Sequence, residues 1–168
     1  EYAVEASIIK VLGSEVLDYV VDEGVQIHGG YGYSQEYPIE RAYRDARINR
    51  IFEGTNEINR MLIPGMLVRR GLKGEVPLVA AARALQDEVL SASPQAGGDD
   101  DAPLAAERRL VASFKKVALM VIGTALQTFG DRLEAEQEVL SFAADVLIDT
   151  YAAESAVARA SQVVAAGL

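Results

Sequence analysis

Glu53 is the residue in this chain best suited to moving a proton. It stands between an aromatic ring, Phe52, and a flexible glycine, Gly54, just before a helix start signalled by Thr55 and Glu57. A carboxylate flanked by apolar groups can hold a raised pKa, which suits a base that takes a proton from carbon. The helix N-terminus beside it pulls the other way, because its unpaired N–H groups favour an anion. Read from the residues alone, Glu53 is more readily a loop acid beside a capping threonine, since acids near helix starts are common.

The other chemistry-bearing residues have plain readings. The run GGYGY at 29–33 lacks the Lys of GxxxxGK[ST] and follows a helix where GxGxxG needs a strand, so it reads as a turn. Arg41, Arg44, Arg47 and Arg50 recur every three residues and therefore drift around their helix. Ion pairing or a subunit contact explains them better than a pyrophosphate does, and Glu40–Arg44 and Arg41–Asp45 are spaced for i,i+4 pairs. His28 is the only histidine, with no His, Cys or paired carboxylate at ligand spacing, so no metal site is expected.

The elements that must position these residues are helical. Residues 1 to about 27 read as one amphipathic helix with Ala6, Ile9, Gly13, Val16, Val20 and Ile27 near one stripe. The glycine-rich break follows, permitting positive φ and close backbone approach. Pro38 suits the first turn of a second helix whose apolar face is Ile39, Ala42, Tyr43 and Ala46. Thr55 caps a third helix, which Pro64-Gly65 should kink or interrupt. Gly71 to Pro77 is a short connection. Val79 to about Leu90 reads as a helix, and Ser93 to Pro103 as a flexible acidic loop. Leu104–Phe129 carries a stripe of Val111, Phe114, Ala118, Val121, Ala125 and Thr128, with Gly130 and Asp131 at its end. Glu134 to about Ala166 carries Val139, Ala143, Val146, Thr150, Ala153, Val157, Ala160 and Val164, a seam of small residues suited to close bundle packing. No run alternates convincingly as a strand, so the expected class is all-α, an antiparallel helical bundle plus a second bundle.

Half of the 168 residues are hydrophobic, enough for a packed core. The formal net charge of −9 is concentrated after Gly74, where 7 basic residues face 14 acidic ones. That balance disfavours a nucleic-acid surface. The absence of cysteine excludes disulfides and thiolate metal sites. No apolar run is expected to reach membrane-spanning length, and no targeting signal is visible. EYAVEASIIK reads as the middle of a helix, so the chain is expected to be a piece of something longer.

Taken together, QIHGGYGY, EYPIERAYRDARI and IFEGTNEI, in this order between Gln26 and about Ile63, resemble the C-terminal signature of the acyl-CoA dehydrogenase family. After Pro64 the likeness is looser, though a helical extension of this size resembles the very-long-chain branch. The resemblance implies that residues 1–74 are part of the C-terminal catalytic helical domain and 75–168 a helical extension. It implies FAD as cofactor and oxidation of the Cα–Cβ bond of an acyl-CoA to the trans-2-enoyl-CoA, as in fatty-acid β-oxidation. Glu53 matches the base that takes the α-proton while the β-hydrogen leaves as hydride to flavin N5. Phe52 and Gly54 match residues lining the thioester end of the substrate pocket. Gln26, Ile27, His28, Gly29 and Gly30 match the stretch that meets the flavin's ADP portion, commonly from a neighbouring subunit. Thr55, Asn56 and Glu57 match the helix start that meets FAD phosphate and ribose groups.

The resemblance further implies a homodimer or homotetramer, electron-transfer flavoprotein as acceptor, and a location in the cytoplasm of a bacterium or the mitochondrion of a eukaryote. Because the family's N-terminal and middle domains are missing, the fragment alone is expected to be inactive. Two other classes compete with this reading, a non-catalytic flavoprotein relative and a helical oligomerisation module. The acidic second half disfavours the first when it is read as a nucleic-acid binder, and the intact EGT motif at Glu53 disfavours the second. Packing of the extension against a partner subunit is favoured over membrane contact, because its acidic loop would be repelled by an anionic surface.

Overall fold

A computed structural model describes residues 2–91 and 102–167. Among them are six α-helices and no strand, as the periodicities lead one to expect: α1 (Ala3–His28), α2 (Pro38–Arg47), α3 (Asn56–Leu72), α4 (Leu78–Ser91), α5 (Ala105–Phe129) and α6 (Gln137–Ala165). Short 3-10 turns cover Gly29–Tyr33, Ile48–Arg50 and Gly130–Ala135. The acidic loop expected at 93–103 lies outside the described residues except for its last two positions. The chain forms two compact units, Glu1–Ile63 and Pro64–Leu168, so the division falls inside α3.

In the first unit α1 packs against α2. The length of α1 agrees with its expected span, but its buried stripe does not. Val4, Ser7, Ile8, Val11, Ser14 and Val21 are buried. The expected stripe is turned out, with Ile9, Val16, Val20 and Ile27 each more than half exposed. The reason is that α1 is apolar on more than one side, so three- and four-residue spacing fits two faces equally well. The interior is completed by Ala46 and Ile63, with the polar side chains of Asn56 and Asn59 also buried. At the α1–α2 corner Gly32 answers a steric demand: a Cβ there would lie 2.6 Å from the carbonyl oxygen of Val25.

The expected ion pairs Glu40–Arg44 and Arg41–Asp45 are formed on α2. Glu40 holds the exposed Arg44 guanidinium above its ordinary pKa. Arg50 instead reaches Asp18 on α1 at 3.1 Å.

Contrary to the expected interruption, α3 runs on through Pro64. A proline inside a helix removes one N–H donor while the bonds on either side persist. Pro64 and Ile63 are fully buried, so burial helps to offset that loss.

In the second unit α5 packs against both α4 and α6. Leu78, Leu85, Val111, Ala118, Ile122, Ala125, Leu140, Ala143, Ala144 and Ile148 form its core. The small-residue seam of α6 falls on the inner side at Ala143 and Thr150. The expectation that no apolar run reaches spanning length needs correction. The helical stretch Ala105–Ala135 is long and apolar enough to cross a membrane by length and composition, its most apolar 18-residue window having mean hydropathy 1.4. Its uncharged core, 117–130, is short because Lys116 and Asp131 flank it.

Candidate active site

The corner that carries Glu53 is built where the turn after α2 meets the start of α3. Backbone N–H groups of Ile51 and Phe52 close on the Ile48 carbonyl at 2.9 and 3.1 Å. The chain then reverses through two left-handed residues, Glu53 at φ 56° and Gly54 at φ 77°. Glycine adopts that conformation freely, whereas an L-residue such as Glu53 carries a cost of roughly 1–2 kcal/mol. A non-glycine residue held there must be over-determined by its surroundings.

The surroundings are a polar network between α1 and α3. Lys10 Nζ donates to the Gly54 carbonyl and to Asn56 Oδ1, both at 2.7 Å. Asn59 Nδ2 donates to the same Gly54 carbonyl at 2.8 Å and to that of Thr55 at 3.0 Å. Asn56, 2% exposed, donates from Nδ2 to Ser14 Oγ at 2.9 Å and to Glu15 Oε1 at 3.1 Å. Arg60 closes the network with a two-pronged contact, Nη1 to Oε1 of Glu15 at 2.7 Å and Nη2 to Oε2 at 3.0 Å. That fork is the main reason the Glu15 carboxyl is held below its ordinary pKa, against the opposing effect of burial.

The predicted residues fall at two places. Phe52, Glu53 and Gly54 are adjacent and exposed, with Phe52 at 46%. Thr55 caps α3 as expected, its Oγ1 accepting from the Ile58 N–H at 3.2 Å. Glu57 is exposed, and its carboxyl is held below the usual range first by its own backbone N–H and next by the Thr55 hydroxyl. Asn56 turns its side chain inward, into the network just described. Gln26, Ile27, His28, Gly29 and Gly30 form an exposed corner at the far end of α1. There His28 Nδ1 bonds the Gly24 carbonyl at 2.8 Å and Gly29 ends the helix at φ 61°.

These two corners are not brought together. Lys10, which touches Gly54, and Gln26 lie sixteen residues apart on one continuous helix. At 1.5 Å of rise per residue that is about 24 Å. Two clefts of about 320 and 300 Å³ lie in the second unit, and their walls contain none of the predicted residues.

Lys10, Ser14, Glu15, Asn59 and Arg60 were missed in the sequence. The available signal was the placement of polar residues at i,i+4 on two apolar helices, Lys10 with Ser14 and Asn56 with Arg60. Such pairs are ordinarily surface residues, which is why spacing alone does not single them out.

Comparison with known proteins places this corner in context. Two family models, each described as acyl-CoA dehydrogenase, C-terminal domain, match residues 2–67 and 113–167. A probable acyl-CoA dehydrogenase of Bacillus subtilis is 52% identical over 166 residues, 99% of this chain and 28% of that protein. A caffeyl-CoA reductase–Etf complex subunit of Acetobacterium woodii is 48% identical over 66 residues, 39% of this chain and 17% of that protein. A crystal structure of acyl-CoA dehydrogenase complexed with FAD from Bacillus anthracis superposes with a TM-score of 0.87 at 56% identity, covering 92% of this chain and 26% of that one. The chain thus spans about a quarter of the length of the two relatives it follows throughout. Through both of its units it belongs to the acyl-CoA dehydrogenase family, as a stretch of that family's C-terminal helical region.

Proposed function

We propose that this chain supplies the base-bearing corner of an FAD-dependent enzyme that oxidises an acyl-CoA to the trans-2-enoyl-CoA, the dehydrogenation of fatty-acid β-oxidation. The observation that carries the reading is the exposed Glu53, held in a left-handed conformation by bonds to its neighbours rather than by its own preference.

The residues present fit a flavin nucleotide. The donors at the start of α3 lower the pKa of the Glu57 carboxyl, so that helix end suits an anionic group. Gly29 and Gly30 present open backbone, with nothing within 4 Å of where a Cβ would stand. Thr55, Glu57 and the backbone of Asn56 would hold phosphate and ribose groups at one corner, and Gln26, Ile27, His28, Gly29 and Gly30 the ADP portion at the other. The separation of about 24 Å along α1 supports assigning the two corners to different flavins, and with them a homodimer or homotetramer.

When bound, the flavin accepts the β-hydrogen with its electron pair at N5. The chain's own part is the other half of the dehydrogenation. The Glu53 carboxylate takes the α-proton, and the C–H electron pair becomes the new Cα–Cβ π bond as hydride leaves Cβ. The Glu53 N–H polarises the thioester carbonyl, while Phe52 and Gly54 line that end of the pocket. Electron-transfer flavoprotein is the proposed acceptor, a reading supported by the Etf complex named for the A. woodii relative. We assign residues 75–168 to packing against a partner subunit in preference to membrane contact.

In a chain carrying the N-terminal and middle domains, Glu53→Gln is expected to lower enoyl-CoA formation by about 10²–10⁴-fold with flavin content unchanged. Turnover close to wild type in that variant would move the base elsewhere.

A further inference from the structure

We propose that Lys10 is a positioning residue for proton abstraction: its ammonium, with Asn59, fixes the Gly54–Thr55 peptide, one residue beyond Glu53, and through the Gly54 backbone sets where the Glu53 carboxylate points. The inference rests on the reading of Glu53 as the base and deepens it.

The geometry is specific to this loop. The Gly54 carbonyl is gripped from two sides, by Lys10 Nζ from α1 and Asn59 Nδ2 from α3. With both Glu53 and Gly54 left-handed, anchoring the Gly54–Thr55 peptide restrains the Gly54 backbone and, through it, the residue that carries the carboxylate. Lys10 is itself held by its second acceptor, Asn56 Oδ1, and Asn56 is fixed by Ser14 and Glu15. Glu15 is locked in turn by the Arg60 fork. The chain of contacts therefore runs from α1 to one carbonyl next to the reacting group. A lysine serving only to staple two helices would not need to donate to a loop peptide. A charged donor to a neutral carbonyl is also a stronger restraint than an amide could give. Displacement of a reacting group by about 1 Å can cost on the order of 10²-fold in rate.

The test uses the full-length flavin-loaded enzyme. Lys10→Met removes the donor while keeping the length of the stem. Turnover is measured together with exchange of the α-protons into D₂O for an acyl-CoA that has no hydrogen on Cβ. Exchange on that substrate reports proton abstraction without hydride transfer. We expect kcat and the exchange rate to fall together by about 10–100-fold, with KM and flavin content within about twofold of wild type. Unchanged kcat, an exchange rate at the wild-type level despite lowered kcat, or a fall in both explained by lost flavin would each overturn the proposal. If Lys10→Met does not fold, Lys10→Arg, which keeps the charge but relocates the donors, is read by the same pair of rates. A parallel drop supports positioning, and an unmoved exchange rate refutes it. Glu53→Gln is run alongside. If exchange survives in that variant, it is the base assignment that fails, whatever Lys10→Met shows.

Discussion

At the scale of single residues, the chemistry of this chain is a matter of who holds whom. Glu15 has its folded-state pKa below the ordinary 4.5, chiefly through the Arg60 fork. A depressed carboxylate adds stability that is present above the unfolded-state pKa and is lost as pH falls through the folded-state value. The contribution should therefore be complete at neutral pH, begin to decline near pH 4.5 and be lost as pH falls through the lower folded-state value. Glu15→Gln in the intact enzyme is expected to cost about 1 kcal/mol at pH 7, a figure discounted because the side chain is more than a third exposed. The difference from wild type should narrow on acidification, as denaturation midpoints at pH 7 and pH 4 will check. A difference that widened in acid would contradict the assigned direction. Glu53 was legible as a candidate from its neighbours in sequence, because proximity to a helix start and a glycine is a local property. The residues that restrain its loop were not, because their roles depend on which turn of α1 lies beside which turn of α3.

At the scale of elements, the helices were legible and their inward faces only partly so. Chain reversals follow local rules: Thr55 caps α3, Gly29 and Gly130 close helices at positive φ, and each is visible as a residue type at the right place. The buried face of α1 differs from the expected one because Ile9, Val16, Val20 and Ile27 are as apolar as the residues that are buried. Periodicity identifies a helix, but when two faces qualify, only the neighbours decide. Pro64 teaches a related lesson. Propensity disfavours proline in mid-helix, yet the surrounding hydrogen bonds and full burial of its ring keep α3 continuous.

At the scale of the molecule, the likeness to the B. subtilis relative runs across 99% of the chain while covering 28% of that protein. On the proposed reading, the base, its restraining network and the two nucleotide-facing corners all lie in a stretch about a quarter as long as these relatives. Purified as it stands, the chain is expected to give no dye reduction with FAD and an acyl-CoA. Reduction above the rate of a protein-free control would show that the missing domains are dispensable for the chemistry. The all-α class was legible because every long periodic segment is helical. The division inside α3 falls at Pro64, where the sequence carries a mark, but that mark reads as a break in the helix and the helix runs on through it.

The left-handed backbone at Glu53 sets selection for durability against selection for turnover. Glycine is the residue this φ of 56° favours. Glu53→Gly should therefore raise the unfolding free energy by about 0.5–1 kcal/mol while eliminating catalysis. Thermal denaturation of the two forms decides the matter, and a lower midpoint for the glycine variant would argue against it. A library of variants sorted only for heat resistance should accumulate glycine here, discarding the side chain proposed as the base.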